Sequence, residues 1–224
     1  MIGEPVEEGV GRIAGFVNAY VFEDAKGTYL IDTTMSRKAK PVRKAFERAG
    51  ASFSKISSIL LTHQHVDHIS GAAAVQEESH AIVACHSADA PFVDGHQTPR
   101  IPAILRLFVH PRVVPVARVL ENGDTVGPFQ VVHVPGHTLG EVAFYHPERK
   151  ILFSGDSVVE RRGALTLGAP GFAADISKAV DSLQVLRKLD VELLLPGHGV
   201  PVRKDIAGQL DRLIARAPKD FLKR

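Results

Sequence analysis

Residues 63–68 read HQHVDH and place His63, His65, Asp67 and His68 within six consecutive positions. Imidazole and carboxylate are ligand types that suit zinc, iron and manganese, and the lack of thiolates here argues against a purely structural zinc site. In extended backbone, residues two apart point the same way. His63 and His65 can therefore converge on one ion, while a following turn lets Asp67 and His68 reach a second. Two divalent ions about 3.5 to 4 Å apart can share one hydroxide, and a metal-bound water can have its pKa lowered to about 7. The chemistry expected is hydrolysis, with the same ions polarising a carbonyl or phosphoryl oxygen.

Three further polar residues sit beside glycine after apolar runs: His137 in PGHT, Asp156 in SGDS and His198 in PGHG. Taken singly, each fits a turn or cap equally well. Their shared placement joins them to the first group, because glycine lets backbone approach a ligand cluster closely.

The elements that must position these residues are legible in outline. Val17–Phe22 and Thr28–Ile31, separated by DAKG, predict a hairpin. A helix should follow, with Ser36 as N-cap, Val42, Phe46 and Ala49 on one face and Gly50 as its stop. Ile56–Leu61 predicts the strand that delivers THQHVDH. Gly71–Glu78 predicts a short helix and Ala81–Ala84 another strand. Phe129–Val134, Glu141–Tyr145, Lys150–Phe153 and Val191–Leu195 are strand-like. Asp175–Leu189 is an amphipathic helical pattern, and a last helix is expected over Lys204–Ala217. Between Asp94 and Val116 four prolines bracket the apolar segment Ile101–Val109, which is expected as a lid over the site or a dimer contact. Strand clusters alternating with helices predict an α/β protein with mixed sheets covered by helices.

The chain has 224 residues, 45% of them hydrophobic, enough for a full core without staples. One domain is expected across residues 1–224. With 27 Lys+Arg against 25 Asp+Glu the charge is balanced, so nucleic acid is not the expected partner. The single cysteine, Cys85, rules out an intramolecular disulfide and suits a reducing compartment. The acidic N-terminus does not read as a signal peptide, and no run reaches the roughly 18 apolar residues of a membrane span. A cytoplasmic protein is expected.

In THQHVDH, VPGHTLGEVAFY, LFSGDSV, LLPGHG and the early YLIDT, the sequence resembles the metallo-β-lactamase-fold hydrolases, over nearly its whole length. The resemblance implies a four-layer αβ/βα sandwich of two mixed sheets flanked by helices. It implies that His63, His65 and His137 bind one metal, that Asp67, His68 and His198 bind a second, and that Asp156 bridges both. Asp32 of YLIDT would orient ligating histidines from outside the ligand set, and Asp67 would also help to move the proton. Two divalent ions are implied, zinc first, with iron and manganese as alternatives.

Several branches of that family fit less well. Its β-lactamases generally lack the bridging aspartate, its long nucleases need a second domain, and its flavin-linked di-iron members have glutamate where His65 stands. Glyoxalase II-like thioesterases and lactonases match the ligand set. The expected activity is hydrolysis of a thioester, lactone or related ester, with phosphodiester cleavage as a side reaction. The short segment after Pro201 argues against a glutathione site, and Tyr145, which could assist a lactone carbonyl, reads more readily as a packed strand aromatic. Arg161 and Arg162 follow Asp156 and are candidates to hold an anionic substrate group. The alternatives are a mononuclear iron persulfide dioxygenase and a non-catalytic metal-binding protein. A homodimer is compatible with the sequence. His80, His86, His96, His110, His133 and His146 match no ligand motif and are expected to be structural.

Overall fold

The computed structural model describes residues 1–98 and 112–221, with side chains through residue 217. The proposed lid segment Ile101–Val109 and His110 lie outside the described residues. The chain forms two compact units, Met1–Leu120 and Glu121–Arg224.

The first unit is built on a seven-stranded mixed sheet in the order β1 (Glu4–Glu7), β2 (Val10–Ile13), β3 (Ala19–Asp24), β4 (Gly27–Ile31), β5 (Ile56–Leu60), β6 (Ile82–His86), β7 (Arg118–Leu120). Neighbours are antiparallel from β1 to β4 and parallel from β4 to β7. The β3–β4 hairpin closes where expected, on the Asp24 carboxylate, which accepts the Lys26 and Gly27 N–H groups. Parallel pairing of β4 with β5 sets Ile31 opposite Leu60. The chain therefore leaves both strands at the same sheet edge.

Helix α1 (Lys40–Arg48) buries Val42 and Phe46, and Phe46 meets Phe53 edge-on at 5.2 Å. Burying a side chain like Phe46 contributes roughly 1.5 to 3 kcal/mol. Ser36 is not the residue flanking the helix. That position falls on Ala39, in a left-handed conformation, while the Ser36 hydroxyl accepts the Lys40 N–H from one turn back. The short helices α2 (Val66–Ile69) and α4 (Ala90–Val93) flank α3 (Ala72–Ser79), whose small residues Ala72, Ala73, Ala74 and Val75 pack into the core. Cys85 is fully buried there, and burial pushes its thiol pKa up.

The second unit carries a five-stranded mixed sheet. Its strands are β8 (Thr125–Val126), β9 (Phe129–His133), β10 (Val142–His146), β11 (Ile151–Gly155) and β14 (Leu193–Pro196), in the order β14-β11-β10-β9-β8. Only β11 and β14 are parallel within it. A separate hairpin of β12 (Val159–Arg161) and β13 (Ala164–Thr166) follows β11. Helix α5 (Ile176–Arg187) starts on Asp175, whose side chain accepts the Lys178 N–H. Helix α6 (Ile206–Phe221) starts two residues later than the hydropathy pattern implied and runs farther. Leu183, Leu186, Leu210 and Leu213 from these helices share a core with Ala143, Tyr145 and Leu194 of the sheet. Both units are thus α/β, a mixed sheet flanked by helices, as the sequence predicts. Among the described residues no helix is long and apolar enough to cross a membrane.

Candidate metal centre

In the first unit, the loop after β5 carries His63, His65, Asp67 and His68, the last two on the single turn of α2. His63 and His68 are fully buried. Ligand atoms come within 4.8 Å of one another in each of the pairs His63–His65, His63–His68 and Asp67–His68. The His68 Nε2 to Asp67 Oδ2 distance is 3.8 Å.

Asp32 fixes which imidazole nitrogens face outward from this loop. Its Oδ1 accepts the Thr62 N–H at 2.9 Å, and its Oδ2 accepts both the Thr62 hydroxyl at 2.9 Å and His68 Nδ1 at 2.8 Å. The Thr62 hydroxyl has one proton, already given to Asp32, so it accepts from His63 Nδ1 at 3.0 Å. Both histidines therefore carry their proton on Nδ1. Each is left with a lone pair on Nε2, the form a metal requires. Asp32 reaches this position in a left-handed conformation, φ 57°, which Asp tolerates better than most residues.

Two other residues hold the loop: Thr33, the last residue of YLIDT, and Asp89, which carries no motif of its own in the sequence. Thr33 ties α2 down, its N–H and hydroxyl both donating to the His68 carbonyl. The fully buried Asp89 accepts the Gln64 N–H at 2.9 Å. A buried aspartate is rarely idle, but nothing in its sequence neighbourhood points to a loop 25 residues upstream.

In the second unit, three separate loops converge. His137 Nε2 lies 3.5 Å and His198 Nε2 3.3 Å from the same atom, Asp156 Oδ2. Parallel pairing of β11 and β14 starts the Asp156 and His198 loops from one sheet edge, and they are tied together where the Gly197 N–H donates to the Gly155 carbonyl. The His198 carbonyl accepts the Glu160 N–H from the β12–β13 hairpin. The PGHT turn docks on the start of α5, its Gly136 and His137 carbonyls accepting the Asp175 and Ala174 N–H groups. Gly136, at φ 147°, has no room for a side chain, since a Cβ there would stand 2.2 Å from the Ala179 nitrogen. The fully buried Glu141 accepts the Asp156 N–H at 2.7 Å. Glu141 lies in VPGHTLGEVAFY, and the sequence alone did not mark it as part of the site.

Two donors about 2.1 Å from one ion and at the tetrahedral angle stand about 3.4 Å apart. The contacts of Asp156 Oδ2 match that spacing. In donor type and spacing, the residues fit divalent ions.

Arg161 ends β12 and Arg162 occupies the hairpin turn at φ 53°, both exposed. The Tyr145 hydroxyl donates to the Asp190 carbonyl at 2.8 Å, and its ring packs in the core of the second unit. Among the histidines set aside, His86 and His146 accept backbone N–H groups through Nδ1, and His133 Nε2 pairs with the Leu139 carbonyl.

The family model of the metallo-beta-lactamase superfamily matches residues 12–198, and the chain belongs to that superfamily. It is a metal-dependent hydrolase by class. It is 27% identical over 184 residues to the probable metallo-hydrolase YybB of Bacillus subtilis, covering 82% of this chain and 80% of that protein. It is 34% identical over 145 residues to a hydroxyacylglutathione hydrolase of Cereibacter sphaeroides, covering 63% of this chain and 48% of the relative, so the match spans about half of that enzyme. The crystal structure of TTHA1623 in a di-iron-bound form superposes with a TM-score of 0.70 at 33% identity, covering 88% of this chain and 93% of that one.

Proposed function

We propose that this chain hydrolyses a thioester or related carboxylic ester at a two-metal centre. In this reading His63, His65 and His137 hold one ion, Asp67, His68 and His198 the other, and Asp156 both. The observation that carries it is Asp156 Oδ2 facing two imidazole nitrogens at 3.3 and 3.5 Å, the separation expected of two donors on one ion. When bound, such ions draw a nucleophile from water at neutral pH and polarise the carbonyl oxygen. Zinc is the first choice. Iron and manganese suit the same donors, and TTHA1623 was solved with two irons.

The protein's own groups supply the rest. Asp32 keeps His63 and His68 in the ligating tautomer, directly for His68 and through Thr62 for His63. Asp67, only partly buried, serves as the proton carrier. Arg161 and Arg162, at an exposed turn, are the second unit's candidates to hold an anionic part of the substrate. A tyrosine-assisted lactonase step finds no support, because the Tyr145 hydroxyl is already given to Asp190. The substrate is a small molecule, and the balanced charge gives no reason to invoke nucleic acid. Cytoplasmic location and a homodimer complete the reading.

The test assays zinc-loaded and chelator-stripped protein on thioester, lactone, phosphodiester and β-lactam panels. Turnover of a thioester or ester that disappears on stripping and returns with zinc supports the reading. Chelator-insensitive turnover, or one iron per chain with oxygen uptake on a persulfide, replaces it.

A further inference from the structure

We propose that the substrate is amphiphilic, an apolar chain bearing a negatively charged group, and that the first unit recognises it through residues 14–17 and 34–41. The inference rests on the hydrolase reading above and specifies the substrate class. It has three independent supports within the first unit.

The first is an apolar groove. Ala14, Gly15, Phe16 and Val17 on one side and Thr34, Met35, Ser36 and Pro41 on the other enclose about 320 Å³. None of these residues is charged. Phe16 is 76% and Met35 51% exposed, an unusual state for two large apolar side chains facing one cavity. The volume is at the small end of ligand sites, suited to a short or medium chain.

The second is a run of cations placed against the field of its own helix. The stretch Ser36–Lys44 contains Arg37, Lys38, Lys40, Arg43 and Lys44 and no acid. Lys40 and Arg43 lie in the first turn of α1, where the helix dipole disfavours positive charge. Arg43 is neutralised by a two-pronged bond to Glu78. Arg37, Lys38 and Lys40 are exposed and have no ion pair among the described residues. Three cations at the positive end of a helix, beside an apolar groove, lower stability and are complementary to an anion.

The third is continuity with the metal-ligand loop. The groove wall Thr34–Ser36 follows directly on Asp32 and Thr33, which bind His68. Thr34 itself is left-handed at φ 66°, and Ala39 at φ 49°. A substrate lying in this groove has its tail against Phe16 and Met35 and its anionic group beside Arg37, Lys38 and Lys40, with the labile bond toward the His63–His68 loop.

The test measures binding of octyl phosphate, below its micellar concentration, to the metal-loaded full chain by calorimetry, with inorganic phosphate and octyl glucoside as single-feature controls. Thioesterase turnover is recorded in parallel, so failure of the hydrolase reading shows separately from failure of this one. Octyl phosphate should bind one per chain and more tightly than either control. The Arg37→Ala/Lys38→Ala/Lys40→Ala protein should bind it about tenfold more weakly, through the loss of three exposed charge contacts. Its thermal midpoint without ligand should be unchanged or higher, the signature of charges kept for binding at the expense of stability. Phe16→Ser/Met35→Ser should weaken octyl phosphate by at least about tenfold and leave inorganic phosphate unaffected. Octyl phosphate binding no better than inorganic phosphate, insensitivity to either variant, or binding only to vesicles containing anionic lipid would each overturn the proposal.

Discussion

The two units supply the proposed metal ligands in opposite ways. The first offers four donors within six consecutive residues, held by one loop and keyed by a single buried carboxylate, Asp32. The second draws three donors from three strand ends spread over more than sixty residues, and what unites them is the sheet: parallel β11 and β14, the Gly197–Gly155 bond, and the PGHT turn wedged onto α5. A local constellation is fixed by its own hydrogen bonds, whereas a dispersed one is fixed by topology. The two should therefore fail differently when cut.

The sharpest cut is Asp156→Ala. It removes the atom shared by His137 and His198, so metal content should fall to one ion or fewer per chain and kcat by more than about 100-fold, beyond the loss typical of residues that merely support ligands. Mass-spectrometric metal counting with steady-state kinetics reads both, and a variant keeping two ions would break the comparison. Asp32→Ala should cost about 10- to 100-fold in metal affinity while leaving every ligand in place. Asp32→Asn should recover little, since an amide cannot accept from Thr62 and His68 as the carboxylate does. Competition with a chromophoric chelator measures this.

The site was legible in very unequal parts. His63, His65, Asp67 and His68 announce themselves by density, and nothing about a strand end requires three imidazoles. His137, Asp156 and His198 became readable only through the shared pattern of a polar residue beside glycine after an apolar run. Asp89 and Glu141 were invisible, because each acts through one backbone N–H far away in sequence, on Gln64 and Asp156 respectively. The core strands were located to within about two residues, since the apolar residues of runs such as Ile56–Leu61 are all buried. The hairpins β1–β2 and β12–β13 were missed because charged EPVE and VER lack the alternation of a half-buried strand. Ser36 was misplaced as a cap because Ala39, which has no capping side chain, takes the left-handed position.

Smaller cuts refine the contrast. Glu141→Ala leaves the buried Asp156 N–H unsatisfied, a penalty of about 1 to 3 kcal/mol, visible as a lower thermal midpoint together with weaker metal binding. A midpoint shift with unchanged metal affinity would make Glu141 purely structural. The least effect is expected from Arg187→Ala, far from the ligands. Arg187 binds Asp211 through two hydrogen bonds between α5 and α6 and holds that exposed carboxyl below its ordinary pKa. A depressed carboxyl pKa stabilises the fold above the ordinary carboxylate range, and that stabilisation is lost as pH falls through the folded-state value. The small gap in thermal midpoint between wild type and variant should be open at neutral pH and closed in acid.

The most direct test of the two-ion account is a metal titration of stripped wild-type protein, followed by calorimetry and confirmed by elemental analysis after desalting. The account predicts saturation at two equivalents per chain, with hydrolytic activity maximal at the second. Saturation at one equivalent with full activity would contradict it.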